Sequence, residues 1–331
     1  MSVIISTYGG VVGWYARKKF PRLSSWAFLK WQFLTRRRPT INYIEQRING
    51  KLPSRPFNIL IETMNRCNGS CAFCSASKGN ETRPFAKMDD MLFKKILNDL
   101  HEMSFEGYVS LFCNNEPLLD AKYLERHKML RQLVPQAKIK LITNGSLLTV
   151  ERFTELAPYL DYVVINNYCT DMKLHRNIQE LYRFLINNKE IHKNIEIRIL
   201  IRYAGEVLTN RAGSSPNKAA SKISIKEPCI LPFTDFVIFP TGKVGLCCCD
   251  AKEVTVMGDI NENSIMEIYE GKKYRYIRNI LKEGRDGYMF CKHCDFVDSG
   301  LRLNTIKGKK NDKVSGKRNN KGYRKWFNYN N

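Results

Sequence analysis

Three cysteines, Cys67, Cys71 and Cys74, stand as C-x3-C-x2-C directly after the apolar stretch Phe57 to Ile61. Three thiolates on one short loop can hold three irons of a [4Fe-4S] cube, whereas a closed cluster takes four cysteines, so the fourth iron is left open to an outside ligand. An open iron is a place to do chemistry. A structural zinc site wants four ligands, and no nearby His completes this loop. A second set lies downstream: Cys229, Cys247 and the C-x2-C pair Cys291 and Cys294. Four thiolates are a full complement for either a zinc ion or a closed [4Fe-4S] cluster. Cys113 and Cys169, near predicted strand ends, read as small buried hydrophobes. Cys248 and Cys249 directly follow a predicted ligand, and which of Cys247, Cys248 and Cys249 binds is left open.

The first loop, with Phe73 in C-x-aromatic-C, resembles the cluster loop of the radical S-adenosylmethionine (SAM) enzymes. In that family the open iron chelates SAM, and an electron from the cluster cleaves it to a 5'-deoxyadenosyl radical that abstracts hydrogen from substrate. The resemblance implies that the cofactors carry the hard step while the protein orients them and excludes water. Asn114-Asn115-Glu116-Pro117, after the apolar run Tyr108 to Cys113, is similar to the family's Gly-Gly-Glu-Pro element, which implies that Glu116 meets the SAM amino group. Asparagine replaces both glycines, so the neighbouring amides gain no role from the likeness. Thr143-Asn144-Gly145 matches a third strand-end motif of the family and implies cofactor contact at Asn144; taken alone, Asn-Gly is a turn signal.

Elements must place these loops at one end of a scaffold. Runs rich in Ile, Val, Leu and Tyr at Asn58 to Glu62, Tyr108 to Cys113, Ile139 to Thr143, Tyr162 to Asn166 and Ile195 to Ile201 predict short strands separated by helical patterns. Such alternation predicts a parallel sheet. Between Met88 and Met103, Leu92, Phe93, Ile96, Leu97, Leu100 and Met103 recur at helical spacing, with Asp89 and Asp90 in the first turn. All three motifs fall beyond C-terminal strand ends, the side of a (β/α) barrel that carries active sites. The resemblance implies an α/β fold, a partial (β/α)6 TIM-like barrel.

Residues 202–228 read as a connecting loop. Then come Cys229, a hairpin pattern turning at Thr241-Gly242, Cys247, a helical pattern from Ile265 to Leu281, and the final Cys pair. This order is similar to the auxiliary-cluster extension of radical SAM enzymes. With no cysteine after Cys294 it resembles the truncated Twitch form rather than the full SPASM form, as in the dehydrogenases acting on the aminocyclitol 2-deoxy-scyllo-inosamine. The implied organisation is a basic aromatic extension over 1–56, a radical SAM core over 57–228, an auxiliary-cluster domain of β-hairpin and helix over 229–300, and a disordered tail over 301–331.

The formal charge is +22, of which residues 1–56 and 307–331 carry +18. The basic excess therefore says little about the active site. The N-terminal segment interleaves Trp14, Tyr15, Phe20, Trp26, Phe28, Trp31 and Phe33 with Lys18, Lys19, Arg36, Arg37 and Arg38, a mixture suited to an anionic membrane surface. A packed helical extension fits the same residues. Basic ends bind nucleic acid nonspecifically, but no base-reading motif accompanies them, so no specific nucleic-acid partner is expected. No stretch reaches the roughly 18 apolar residues that span a bilayer, and residues 3–16 lack the features of a signal peptide. Cysteines needed as thiolates point to a reducing cytoplasm.

The reading is a cytoplasmic radical SAM oxidoreductase. Cys67, Cys71 and Cys74 bind the catalytic cluster, Glu116 and Asn144 the SAM side, and Cys229, Cys247, Cys291 and Cys294 an auxiliary cluster. The resemblance further implies two [4Fe-4S] clusters, SAM, and an electron donor such as flavodoxin or ferredoxin. Residues 1–50 lack the strand-and-helix pattern of a peptide leader-binding module, which favours a small hydroxylated substrate: a sugar, an aminocyclitol or a nucleotide sugar. Arg211 is a candidate substrate contact, and Cys248 a candidate hydrogen donor if the reaction is an epimerisation rather than a two-electron oxidation. A peptide-modifying maturase is a further alternative. A noncatalytic metal-binding scaffold would have no reason to place Glu116-Pro117 beside an open three-cysteine loop.

Overall fold

The structure is a computed structural model that describes residues 3–7, 10–52, 54–222 and 226–297. The tail expected to be disordered, 301–331, lies outside the described residues. The chain runs β1 Ile4–Thr7, α1 Gly10–Lys19, α2 Pro21–Ile48, β2 Asn58–Ile61, α3 Asp90–Glu102, β3 Tyr108–Ser110, α4 Tyr123–Leu133, β4 Lys138–Thr143, α5 Val150–Leu156, β5 Tyr162–Cys169, α6 Arg176–Asn187 and β6 Glu196–Tyr203. It continues through α7 Leu231–Thr234, β7 Asp235–Ile238, β8 Lys243–Gly245, β9 Val256–Asp259, α8 Ile265–Tyr269 and α9 Lys272–Leu281.

The five predicted strands form β2 to β6 and pair in parallel, each with the next. Their apolar runs are buried because helices cover the sheet: Ile59, Ile61, Val109, Ile139, Val163, Ile165 and Ile197 to Ile201 at alternate positions are sealed from solvent. The helix expected around Met88 to Met103 is α3. Asp89 caps it, accepting from the Leu92 amide at 2.7 Å, and Leu92, Phe93, Ile96, Leu97 and Leu100 face the sheet. The full order is β1-β6-β5-β4-β3-β2-β7-β8-β9, an open sheet rather than a closed ring, as a partial barrel requires.

Both ends of that order differ from the expectation. Residues 1–50 do carry a strand and helices: β1 pairs in parallel with β6, Ile4 opposite Arg198 and Thr7 opposite Ile201, and α1 and α2 follow. A four-residue strand whose partner is nearly 200 positions away has no local signature, and its aromatic and basic neighbours hid it. The argument that this region lacks a strand-and-helix pattern therefore fails. At the other end β7 pairs in parallel with β2 and in antiparallel with β8, so the predicted hairpin continues the main sheet instead of standing apart. Its turn needs Gly242, whose φ of +91° lies in the left-handed region. The single helical pattern from Ile265 to Leu281 is two helices, broken at Glu270 and Gly271. A Cβ at Gly271 would stand 2.9 Å from the carbonyl oxygens of Glu267 and Ile268.

Candidate active site

The loop after β2 carries Cys67, Cys71 and Cys74, all half-buried and free of disulfides. Local bonds hold its path: the Cys74 amide donates to the Cys71 carbonyl at 3.1 Å and the Lys78 amide to the Gly69 carbonyl at 2.7 Å. At Gly69 the loop turns close to its own sulfurs, and a Cβ there would lie 3.5 Å from Cys67 Sγ and 3.8 Å from Cys71 Sγ. Burial pushes the Cys67 thiol up to about 11, and burial with the charges of Cys74 and Cys67 pushes Cys71 up to about 12. Both thiols are therefore neutral near pH 7. Phe73 is buried, with its ring 5.3 Å from that of Tyr168.

The loops after β3 and β4 meet this one. Glu116 is 1% exposed, and its carboxylate accepts from Thr143 Oγ1 at 2.6 Å, the Asn144 amide at 2.8 Å and the Leu118 amide at 3.2 Å. Burial pushes its carboxyl up against the pull of those three donors. Asn144 then donates to Asn68 Oδ1 at 2.8 Å and approaches Cys67 Sγ at 3.9 Å. Glu116 and Asn144 thus lock the ends of β3 and β4 to the cysteine loop.

The second set is also brought together. Cys229, Cys247, Cys291 and Cys294 are each 5–7% exposed. Cys249, which the sequence left unassigned, stands among them, with its thiol in hydrogen-bonding contact with Cys247, Cys248 and Cys294. Its bond to Cys294 is the main reason that thiol falls to about 6, while burial pushes Cys229 up to about 12. Cys248 is half-buried and packs toward Cys113 and Phe239. Beside the set lies Arg285, 3% exposed, which donates to the Cys294 carbonyl at 2.6 Å and leaves Nε without a partner. Its pKa is raised: burial opposes its charge, but Cys229, Cys294, Cys291 and Cys249 around it prevail. A buried guanidinium among thiols fits an anionic cysteine-ligated cluster. Among the described residues no three His, Cys, Asp or Glu side chains are placed to hold a single metal ion.

Arg211 joins the two sets. It donates to Asn114 Oδ1 and to the Cys248 carbonyl, and Cys249, Cys74, Cys248 and Cys113 all raise its pKa against burial. Arg211 and Ala212 take left-handed φ values of 47° and 55°, costly for residues with a Cβ. The loop over 204–222 is nonetheless pinned: the Asn210 amide donates to Asp295 at 2.6 Å, and Lys218 pairs with Asp295 at 2.7 Å.

Sequence reasoning missed a polar layer behind Cys71. Arg202, at the end of β6, lies 5.2 Å over the Tyr168 ring and pairs with Glu206. Glu206 is fully buried and also meets Arg17 of α1 at 3.7 Å. Its position just past the predicted strand Ile195 to Ile201 is the one signal that could have found Arg202.

Residues 61–200 match the radical SAM superfamily, and residues 229–295 match the iron-sulfur cluster-binding SPASM domain. The chain thus carries a radical SAM domain followed by an iron-sulfur cluster-binding domain, and it is a radical SAM enzyme with SAM and two [4Fe-4S] clusters as its cofactors. It is 29% identical over 245 residues to the S-adenosyl-L-methionine-dependent 2-deoxy-scyllo-inosamine dehydrogenase of Niallia circulans, a span covering 72% of this chain and 92% of that protein. Among solved structures it is similar to BtrN in complex with AdoMet and 2-DOIA, with a TM-score of 0.62 and 25% identity over 73% of this chain and 98% of that one. AdoMet-bound anSMEcpe, 13% identical with a TM-score of 0.50 over 77% of this chain and 91% of that one, shares the fold. The iron-sulfur match answers the zinc alternative, and the superfamily match answers the scaffold alternative.

Proposed function

We propose that the protein oxidises a secondary alcohol of a small hydroxylated molecule, an aminocyclitol or sugar, to the ketone. The observation that carries this is the likeness, over nearly the whole of the relative, to a dehydrogenase acting on 2-deoxy-scyllo-inosamine. When bound, SAM and the reduced first cluster supply the radical that takes one hydrogen atom from the carbinol carbon. A proton and one electron must then leave the substrate, and a fully cysteine-ligated second cluster is a suitable acceptor.

In this reading Cys67, Cys71 and Cys74 hold the SAM-binding cluster. Glu116 and Asn144 orient the SAM side of the loop. Cys229, Cys247, Cys291 and Cys294 hold the second cluster, and Arg285 balances its charge. Arg211, placed between the two sets, grips polar groups of the substrate and keeps its charge at any working pH. A one-electron donor such as flavodoxin or ferredoxin would supply the electron that the first cluster needs when bound.

The test is the reaction with 2-deoxy-scyllo-inosamine and related aminocyclitols in deuterium oxide without oxygen. The expected product is two mass units lighter than substrate, with no deuterium at the reacting carbon. A product of substrate mass with one carbon-bound deuterium, lost in Cys248→Ala or Cys249→Ala, would overturn oxidation in favour of epimerisation.

A cytoplasmic enzyme resting on an anionic membrane surface accounts for the exposed face of α2. Leu23, Trp26, Trp31 and Leu34 lie on that face, 53–75% exposed, with Lys30, Arg37 and Arg38 beside them. No described helix is long and apolar enough to cross a membrane. Each basic residue near anionic lipid contributes about 1 kcal/mol, screened within a Debye length of about 8 Å at physiological salt. The protein should therefore sediment with anionic vesicles, come off in high salt, and fail to bind when Trp26, Trp31 and Leu34 become Ser. Equal recovery in the supernatant with and without vesicles at low salt would refute surface binding.

A further inference from the structure

At the other end of the parallel strands from the cysteine loops, α2, α7, α8 and α9 enclose an open cleft of about 240 Å³. Arg47 at the end of α2 and Arg278 on α9 line it, with Arg275, Ser54, Asn279 and Glu270 around them. Arg47 is 9% exposed. Its Nη2 donates to the Arg55 carbonyl at 3.0 Å and to Tyr269 Oη at 2.8 Å, but Nε and Nη1 are buried and have no partner. Arg278 repeats the pattern: Nε donates to the Pro232 carbonyl at 2.8 Å and Nη1 to the Tyr269 carbonyl at 2.7 Å, while Nη2 is buried and unpaired.

The two guanidinium groups share one ring, Arg278 at 3.8 Å and Arg47 at 5.7 Å from the Tyr269 centroid. Two like charges are thus held near each other, and burial with the repulsion of Arg47 lowers the pKa of Arg278. Glu270 is the one carboxylate lining the cleft, and the Ser54 hydroxyl already donates to it. Three cations therefore face one acid, and three charged N–H-bearing atoms lack an acceptor. Leaving such groups unsatisfied costs more than an ordinary lost hydrogen bond; they are sealed from solvent, and a ligand with several anionic oxygens recovers them once the guanidinium groups turn toward the cleft.

We propose that this cleft is a binding site for an oxyanion of the phosphate class, held by Arg47 and Arg278 with Arg275 at its mouth. Guanidinium forks match phosphate oxygens bidentately, and a ring stack keeps the fork pre-organised. The source is a free phosphate group or the headgroup of an anionic lipid, since α2 also carries the exposed apolar face. The inference is independent of the proposed reaction, because none of these residues belongs to the cysteine loops.

The experiment is calorimetric titration of the full-length, cluster-loaded protein with inorganic phosphate in a chloride buffer. One saturable site with Kd at or below about 1 mM is expected, weakened at least tenfold in Arg47→Leu and severalfold in Arg275→Ala. Arg275 is exposed, so its variant keeps the result interpretable if Arg47→Leu destabilises the fold. SAM cleavage should be unchanged in both. In a second arm, vesicles containing phosphatidic acid are tested with Arg275→Ala; binding that this variant weakens and phosphate competes away assigns the lipid as the source. No saturable phosphate binding and no Arg275-dependent vesicle binding, or binding that both variants leave intact, would overturn the site.

Discussion

Replacing Cys67, Cys71 and Cys74 together with Ala should abolish SAM cleavage and halve the iron content. Two [4Fe-4S] clusters correspond to about eight irons per chain in anaerobically reconstituted protein, and loss of the open cluster leaves about four. The effect should be absolute rather than graded, since all three thiols that could hold the open cluster are removed at once. Iron analysis and 5'-deoxyadenosine production check it together. Eight irons retained in the triple variant, or 5'-deoxyadenosine still formed, would mean that the open cluster sits elsewhere.

Cys229→Ala combined with Cys294→Ala should separate radical formation from oxidation. SAM cleavage should persist, because the first loop is built by β2, β3 and β4. Ketone formation should fall about a hundredfold or more, the scale of losing a principal catalytic contribution, with iron again near four. Circular dichroism of the variant guards against simple unfolding. Undiminished ketone at four irons would exclude the second cluster as electron acceptor.

Much of the scaffold was legible in the sequence for a physical reason. Strands that pack one face under helices bury every second residue, so Ile139, Leu141 and Thr143, and Ile195, Ile197, Ile199 and Ile201, announced themselves by their alternation without homologues. The three-cysteine loop was legible because its thiols are close together in the sequence. What escaped was nonlocal. Nothing near Ile4 to Thr7 announces a partner at Arg198 to Ile201. Arg285, Arg202 and Glu206 are unremarkable charges until folding buries them beside Cys294, Tyr168 and Arg17. Cys249 looked like the neighbour of a ligand, yet the turn after β8 brings its thiol among Cys247, Cys248 and Cys294. Arg211 was singled out from its loop position, but its placement between the two cysteine sets depends on the Asn210 to Asp295 anchor, 85 residues apart.

The pairing of β7 with β2 bears on how this chain can be divided. Asn58 to Ile61 lie between β3 and β7, register-matched to Asp235 to Ile238. A fragment ending before residue 229 would leave the outer side of β2 as four consecutive residues with unmet backbone groups. A bare apolar edge of that kind templates pairing with a second molecule. The C-terminal segment is thus a seal on the sheet as well as a carrier of thiols, and the radical SAM portion expressed alone should aggregate even where its own cysteines are intact.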